Sequence, residues 1–377
     1  MTELFTRRKF LANTGASAGA GLLLGASGVK AAMMAVGGRD SSGTPLKSLA
    51  ERKGLLYGTA ATEHKLTDQA YADVVIRECD LMVPELALKW EALRPSPSTY
   101  DFSGADWTLH FAQQHKMQFR GHALVWHLAL PKWFNSYATP QNAKELLQSH
   151  ITTVVSRYAG KMESWDVINE ALLPSDKRPD GLRIQPWLQL AGPDYIEMAF
   201  RAANAADPKA LLVWNENWLE EDTVGAEHKR QYFLQNLKRL LSRSVPVHAI
   251  GLQSHLKADH PNIAGPQFQQ FLSQVSGMGL KILVTELDVA DDKLPNDFTT
   301  RDQAVANVYS QYLNTVLAQK AVVAVITWGL SNKYTWITNQ NPRSDGAPVR
   351  PLPFDENMEP TAAYSAIAQA LENAPSR

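Results

Sequence analysis

The sequence contains almost no cysteine and almost no net charge. Cys79 is the single cysteine among 377 residues, which excludes an internal disulfide and a cysteine-rich metal site. The 37 basic and 38 acidic side chains give a net charge of -1, so the chain has no basic field for nucleic acid and no acidic field for cationic partners. A neutral ligand, such as a polysaccharide without acid groups, needs no such steering. We therefore expect no nucleic-acid partner.

The first 53 residues differ from the rest of the chain. Arg7 and Arg8 precede a run of small and apolar residues, 12–28, that contains no acidic side chain. This pattern resembles a twin-arginine export signal, so we predict a signal peptide and lead-in over residues 1–36, a flexible segment over residues 37–53, and a periplasmic or extracellular protein. The alternatives are a chance arginine pair in a disordered tail and a membrane anchor. The run is too rich in glycine and alanine for a stable membrane span, and we expect none in the mature protein.

Beyond this segment, short strand-like runs alternate with longer helical patterns. Eight strands joined by helices predict a parallel sheet, and eight is the number that closes such a sheet into a barrel. An open doubly wound sheet is the alternative, but no glycine-rich phosphate turn follows any strand. We therefore predict an α/β fold, a (β/α)8 TIM barrel, as a single catalytic domain over residues 54–374, and a monomer. The predicted strands are 55–60, 81–86, 118–126, 164–170, 210–216, 249–255, 281–289 and 322–329, and the predicted helices are 68–79, 143–158, 194–206, 227–242, 266–278, 301–319 and 362–374.

The fourth predicted strand carries two carboxylates in a short apolar run. Val167 and Ile168 are β-branched, and the run is bounded by a glycine and a proline, which favours a buried strand. In a helix, Asp166 and Glu170 would instead share one solvated face. As a strand, the run places Glu170 where the strand ends and a loop begins. Catalytic groups collect at that position in barrels of this kind.

Polar side chains fall at the C-terminal ends of seven predicted strands, whereas the earlier strand positions are apolar. Burial of a polar group without a partner costs about several kcal/mol, so core structure does not account for such a pattern. We therefore predict one functional site at this end of the barrel. The residues concerned are Glu85, Lys89, His122, Trp126, His127, Asn169, Glu170, Asn215, Glu216, Gln253, His255, Glu286, Asp288 and Trp328.

Two of these carboxylates, Glu170 and Glu286, have the clearest strand contexts. Strict alternation along the seventh strand would place Ile282, Val284, Glu286 and Asp288 on one face. The fourth and seventh strands of a closed barrel lie on opposite sides of its mouth, and two glutamates facing each other across a cleft suggest glycoside hydrolysis. One must be protonated to act as the acid, and the other must be ionised to attack. His255 and Asp288 are candidates to support the ionised one.

Other chemistries use the same residue types. His122, His127, His255, Glu286 and Asp288 include good metal ligands, but His122 and His127 are five residues apart on a strand and turn, so we predict no metal and no cofactor. A Ser-His-Asp hydrolase is weaker, because no serine lies in a nucleophile-elbow context. His127 fits a core histidine equally well.

Tryptophans near strand ends point to a sugar ligand. Trp126, Trp328 and Trp336 have large flat faces, which bind the apolar C–H faces of sugar rings. Trp107, Trp187 and Trp214 lie in less distinctive sequence contexts, and we expect their side chains in the core.

With these residues, the chain resembles glycoside hydrolase family 10, the retaining endo-1,4-β-xylanases with a (β/α)8 barrel. The resemblance spans about residues 55–370 and rests on the runs 121–127, 165–171, 251–256 and 284–288, with Trp328 and Trp336. It implies that Glu170 is the acid/base and Glu286 the nucleophile. The residues implied around the sugar are Lys89, His122, Trp126, Asn169, Gln253, His255, Trp328 and Trp336; Glu85, after the second strand, completes the predicted substrate-binding set.

The chain departs from the family pattern at three places. Leu86 and Ala129 stand where many members have an amide, and the run after the fifth strand is Asn215-Glu216-Asn217-Trp218. The first two changes remove hydrogen bonds to the next sugar toward the non-reducing end, each worth on the order of 1 kcal/mol. We therefore expect an endo-1,4-β-xylanase acting on xylan. The alternatives are the same mechanism on short xylo-oligosaccharides or mixed β-glycans, and a catalytically inactive glycan-binding barrel.

Overall fold

A closed parallel barrel forms the centre of the molecule in the computed structural model, which describes residues 43–260 and 262–377. Eight strands follow one another around the barrel, and the pairing of β6 with β8 closes it. A ninth, short strand, β7, pairs only with the C-terminal half of β8. The strands are β1 Leu56–Ala61, β2 Leu81–Pro84, β3 Gln118–Gly121, β4 Ser164–Asn169, β5 Leu211–Glu216, β6 Ala249–Leu252, β7 His255–Lys257, β8 Lys281–Ala290 and β9 Val322–Thr327.

Helices surround the barrel and connect its strands. Several have side-chain caps at their N-termini; for example, Asp297 accepts a hydrogen bond from the Thr300 amide at 2.7 Å. The helices are α1 Leu46–Glu51, α2 Glu63–Leu66, α3 Gln69–Glu78, α4 Trp90–Leu93, α5 Ser103–Gln114, α6 Phe134–Tyr137, α7 Ala143–Arg157, α8 Pro186–Ala191, α9 Tyr195–Ala206, α10 Val224–Ser242, α11 Pro266–Gly277, α12 Phe298–Leu317, α13 Ile337–Gln340 and α14 Ala362–Asn373.

The apolar core has two layers. A large layer lies between the strands and the surrounding helices. A small one fills the barrel interior and consists of strand residues such as Leu81, Val213 and Leu283, with Trp328 at its upper edge. Each strand therefore has one face toward the helices and one toward the barrel axis, and the axial face leads up to the polar end.

The predicted (β/α)8 barrel is confirmed, with corrections at several boundaries. Residues 46–51 of the segment predicted to be flexible form α1, which packs on β1 and α14 and buries Leu46 and Leu49, so the folded domain begins before residue 54. The strand predicted over 249–255 is interrupted at Ser254, where φ is +63°. Helix α5 was not predicted. The signal predicted over residues 1–36 lies outside the described residues.

Strict alternation along the seventh barrel strand, β8, is wrong. Ile282 and Val284 pack in the outer layer, whereas Leu283 lies in the barrel interior. A register shift between Val284 and Leu287 then changes the face, and Glu286 points into the site although Val284 points away from the barrel axis. A similar shift lies in β4 between Asp166 and Ile168.

No helix among the described residues is long and apolar enough to cross a membrane.

The packing of β3 on β4 makes a stability prediction. A Cβ atom at Gly121 would lie 2.0 Å from Cε3 of the fully buried Trp165 ring, so Gly121→Ala forces the ring or a strand to move. Overpacking of this kind costs about 1–3 kcal/mol of unfolding free energy, measured by urea denaturation. Gly225→Ala is the matched control, because a Cβ atom added at this position in α10 would lie in open space. Equal stability of the two variants would contradict the tight contact.

Candidate active site

The C-terminal ends of the barrel strands bring the predicted site residues together. Because the strands are parallel, these ends meet at one mouth. Glu170 and Glu286 both lie there, and each is 5% exposed. A polar network formed by amides, imidazoles and carboxylates links the two glutamates.

Glu286 is held from several sides. Its Oε1 accepts a hydrogen bond from Asn215 Nδ2 at 2.7 Å, and its Oε2 lies 3.2 Å from His255 Nε2. His122 Nδ1 lies 3.9 Å from Oε1. Thr285 Oγ1 donates to Asn215 Oδ1 at 2.7 Å, which orients the Asn215 amide with its nitrogen toward Glu286.

These contacts keep the Glu286 carboxyl ionised. Burial alone raises its pKa, but the hydrogen bond from His255 and the charges of His122, His255 and Lys89 outweigh burial and lower the pKa to about 2. A buried carboxylate ionised at neutral pH and lining a cleft is a ready nucleophile.

His255 owes its position to strand register. It is the register partner of Asp288 in the β7–β8 pair, and its Nδ1 lies 3.0 Å from Asp288 Oδ1. Trp336 Nε1 donates to the other Asp288 oxygen at 2.7 Å. Burial lowers the pKa of His255, but the charge and hydrogen bond of Asp288, with a smaller contribution from Glu286, raise it to about 10. The protonated imidazole therefore donates to both carboxylates, and the structure brings His255 and Asp288, the residues predicted to support the ionised glutamate, into contact beside Glu286.

Glu170 lies where the chain leaves β4. Its backbone has φ +53°, a left-handed conformation uncommon outside glycine, and turns the side chain toward the mouth. The Glu170 amide donates to Asn215 O at 3.0 Å, and its carbonyl accepts from Arg183 Nε at 2.9 Å. Gln253 Nε2 donates to Glu170 Oε1 at 3.1 Å. Both main-chain groups and the side chain are thus held in place.

Asn169 connects the two glutamates. Its Oδ1 accepts from Asn215 Nδ2 at 2.9 Å and from Gln253 Nε2 at 3.2 Å. Each of these amides also bonds one glutamate. The two donations fix the Asn169 amide with its nitrogen directed away from both donors. A ligand hydroxyl can therefore be met by that N–H group.

Asp166 is a buried carboxylate that holds His122 in place. It accepts hydrogen bonds from the Arg120 guanidinium and, at 3.0 Å, pairs with His122 Nδ1. Arg120 also donates to Ser164 Oγ at 2.7 Å. All four side chains are fully or almost fully buried. A buried charge is tolerated when it has a partner, and Asp166 has Arg120 and His122 as partners. Its contact with Nδ1 also orients the His122 ring.

An aromatic and cationic wall lies beside these groups. Lys89 Nζ lies 5.0 Å from the ring centroid of Trp126 and 5.9 Å from that of Trp328. The Trp328 ring packs edge-on against His122, at 5.2 Å between centroids, and Trp336 packs similarly against His255. The predicted tryptophans therefore lie together beside the groups that surround Glu286.

The structure also places the remaining predicted residues. Glu85 is at the edge of this wall and forms a 2.5 Å ion pair with Lys65. Trp187 and Trp214 are fully buried, as predicted, and Trp107 packs partly buried against the core. Among the described residues, no group of three or more His, Cys, Asp or Glu side chains is arranged to hold a metal ion.

Two contributors were not assigned to the site from sequence: Thr285 and Arg120. Asn215, near the end of β5, is among the predicted site residues, and the structure adds its bond to Glu286. Arg120 is a charged residue inside a buried strand, which in itself indicates a buried partner. Thr285 was missed because the predicted alternation placed Ile282 and Val284 on the inner face, whereas the structure places Leu283 there, and Thr285 follows Leu283 on the same face.

The chain resembles known proteins over nearly all of its described length. The model of the family described as Glycosyl hydrolase family 10 matches residues 45–370. Endo-1,4-beta-xylanase B of Thermotoga neapolitana is 32% identical over 88% of this chain and 93% of its own. Endo-1,4-beta-xylanase A of a Caldicellulosiruptor species is 33% identical, but the match spans only 45% of that longer protein. The crystal structure of xylanase 10B from Thermotoga maritima superposes with a TM-score of 0.79, with 33% identity over 87% of this chain and 98% of that one.

The His255–Asp288 contact makes a pH prediction. With a pKa of about 10 in the folded protein, above the ordinary value, the charged imidazole stabilises the fold below its ordinary pKa, and this contribution is lost as the pH rises through about 10. Asp288→Asn removes the charge but keeps the shape, so the His255 pKa should fall toward neutrality in an imidazole ¹⁵N NMR titration. Asp106→Asn, which removes a carboxylate of α5 that pairs with Arg157, is the control. An unchanged His255 pKa in Asp288→Asn would refute the assigned cause.

Proposed function

The chain belongs to glycosyl hydrolase family 10, and from this premise we propose that it is an endo-1,4-β-xylanase that cleaves internal bonds of xylan with retention of configuration. The observation that carries the proposal is the pair of buried glutamates in one polar network, of which Glu286 is held ionised. The tryptophans around Glu286 supply flat apolar faces for a sugar chain without charge.

The first step forms a covalent intermediate. Glu170 donates its proton to the glycosidic oxygen as the bond from that oxygen to the anomeric carbon breaks, and the Glu286 carboxylate attacks the same carbon from the opposite face. His255, charged and oriented by Asp288, donates to Glu286 Oε2 and leaves Oε1 as the attacking atom. Asn215 holds Oε1 in position until the bond forms.

The second step releases the sugar. Glu170, now a carboxylate, removes a proton from a water molecule, whose oxygen attacks the anomeric carbon and displaces Glu286. Glu170 thereby regains its proton. Asn169 Nδ2 donates to the 2-hydroxyl of the sugar, a contact that strengthens as charge develops on the ring.

A narrower substrate preference is a second candidate. Leu86 is 49% exposed, and it follows Glu85 in the segment that leads from β2 to Lys89. The Ala129 carbonyl accepts a hydrogen bond from the Glu91 amide, and the Ala129 side chain is only a methyl group. Neither side chain can hydrogen-bond a hydroxyl group. The two side chains therefore favour weaker binding of sugars that extend past the wall of Lys89, Trp126 and Trp328. The preferred substrates would then be short xylo-oligosaccharides or mixed β-glycans.

Export by the twin-arginine route is part of the proposal and rests on Arg7, Arg8 and the apolar run after them. Fractionation of cells expressing the full chain should find it outside the cytoplasm, and Arg7→Lys with Arg8→Lys should retain it inside. Equal distribution of the two proteins would contradict this route.

Substitution of each glutamate by alanine distinguishes the two proposed roles. Glu286→Ala should abolish release of reducing sugar from xylan, because it removes the carboxylate proposed to attack the anomeric carbon. Glu170→Ala should lower it by about 10²–10⁴-fold, the usual contribution of an acid/base group. With an aryl xyloside whose phenol leaves without protonation, Glu170→Ala should still form the intermediate, seen as a burst of phenol. Undiminished xylan hydrolysis by Glu286→Ala would eliminate the nucleophile assignment.

The polar groups missing beyond the wall can be restored. Leu86→Asn and Ala129→Gln should each raise kcat/KM on xylohexaose about fivefold, the gain expected from one hydrogen bond of about 1 kcal/mol. On xylobiose the gain should be smaller, since fewer sugars reach that region. Leu128→Asn, at a neighbouring exposed leucine, is the control. If the restored variants equal the wild type on xylohexaose, the distal region is not limited by these residues.

A further inference from the structure

Glu220 is a buried carboxylate in the segment after β5, and neither of the two proposed reaction steps uses it. It is 3% exposed. Two other buried carboxylates, Glu216 and Asp291, pair with cationic side chains. The oxygens of Glu220 instead accept main-chain hydrogen bonds, Oε2 from the Leu219 amide at 2.7 Å and Oε1 from the Ser254 amide at 2.9 Å. An apolar side chain fills a buried position at less cost, so the bond to the distant Ser254 amide is the distinctive contribution of Glu220.

Ser254 is the fully buried residue at which the chain leaves β6 and turns into β7. Its backbone has φ +63°, a left-handed conformation that is unfavourable for a residue with a Cβ atom. The register of β5 with β6 ends at Leu252, and the Ser254 amide bonds the Glu220 carboxylate where strand pairing has stopped. Glu220 therefore stabilises a turn that Ser254 does not readily adopt by itself.

The two neighbours of Ser254 contact the two glutamates of the site. On one side, Gln253 Nε2 donates to Glu170 Oε1 at 3.1 Å. On the other side, His255 Nε2 donates to Glu286 Oε2 at 3.2 Å. A shift of the Ser254 backbone would therefore move one hydrogen-bond partner of each glutamate.

Glu220 and His255 also interact through their charges. Burial raises the pKa of the Glu220 carboxyl, and the main-chain amides of residues 219, 220 and 254, with the positive charge of His255, partly offset this rise. Glu220 can thus act on His255 in two ways, by fixing its position and by its charge.

We propose that Glu220 is a positioning residue: through the Ser254 amide it fixes the turn from which His255 reaches Glu286, and it thereby sets the rate at which Glu286 attacks. This inference rests on the proposed double-displacement reaction. Glu220 acts through Ser254 and His255 and takes no part in bond making or breaking.

Glu220→Gln tests this role. It keeps the size of the side chain but replaces one acceptor oxygen by an NH₂ group, which cannot accept the amide that it faces. On an aryl β-xylobioside whose phenol leaves without protonation, kcat/KM reports the attack by Glu286 and should fall by about 10–100-fold. In an imidazole ¹⁵N NMR titration, the pKa of His255 should fall from about 10, because its contacts with Asp288 and Glu286 are looser.

Asp207→Asn is the matched control. Asp207 is 2% exposed and likewise accepts two main-chain amides on separate oxygens, from Gly160 at 2.9 Å and from Lys209 at 3.0 Å. It precedes β5 and so lies at the opposite end of the barrel. Asp207→Asn should lower the free energy of unfolding, as Glu220→Gln does, and leave kcat/KM and the His255 pKa unchanged.

Ser254→Ala separates the two groups through which Ser254 is held. It keeps the amide that Glu220 accepts and removes the hydroxyl group, which lies 2.5 Å from the Tyr312 hydroxyl. Its loss of kcat/KM should be smaller than that of Glu220→Gln. An equal or larger loss would assign the positioning to Tyr312 and overturn the role of Glu220.

Three further outcomes would count against the proposal or its premise. A His255 pKa that stays at about 10 in Glu220→Gln, or equal changes in Glu220→Gln and Asp207→Asn, would overturn the positioning role. A lower pKa with an unchanged kcat/KM would also overturn it, since Glu220 would then act by its charge alone. Failure of the wild type to cleave the xylobioside would instead overturn the proposed activity, whereas the titration of His255 tests Glu220 in either case.

Discussion

The site depends on keeping one buried carboxyl group ionised. Removing Glu286 from water favours its neutral form, and a neutral carboxyl cannot attack. The structure overcomes this with a protonated imidazole at one oxygen and an amide at the other. The imidazole is in turn kept charged by Asp288, so the group that keeps Glu286 ionised is itself held by a second carboxylate. The loss of either contact to His255 would therefore also alter the environment of Glu286.

The barrel makes this arrangement possible by register. His255 meets Asp288 because they are partners in a short parallel pair that branches from β8 above the barrel. Glu286 reaches the mouth because the β8–β9 register shifts after Val284. With strict alternation along β8, Glu286 would share the outward face of Ile282 and Val284, or these two apolar residues would leave the outer core layer. The irregularities thus lie where the strand passes from filling the barrel to lining the cleft.

The sequence was sufficient for the barrel architecture and for bringing Glu170 and Glu286 to one mouth. Strand-like runs ending in polar residues predict a barrel mouth, since parallel strands bring those ends together whatever their detailed register. Partners within the site were harder to predict. Asn215 on β5 bonds Glu286 on β8 with β6 between them, a contact that the order of the chain does not reveal. Glu286 joins Thr285 on the inner side only through the β8 irregularity, which strict alternation does not predict. Helix α1 was missed because its short run carries too few periods to be distinguished from a loop.

The two sides of the mouth differ in their contacts. Around Glu286, the tryptophans pack against the histidines and the lysine that keep its carboxyl group ionised, so the aromatic surface and the ionisation of Glu286 depend on the same side chains. On the Glu170 side, Trp218 rests on Lys229, which bonds residues of β5 and its loop and is absent from the contacts of Glu286. The run after β5 departs from the family pattern, yet it keeps the Asn215 contact to Glu286, and Lys229 stabilises its altered part through Asn217 and Glu216. The contacts of Glu286 are therefore preserved while the neighbouring surface changes.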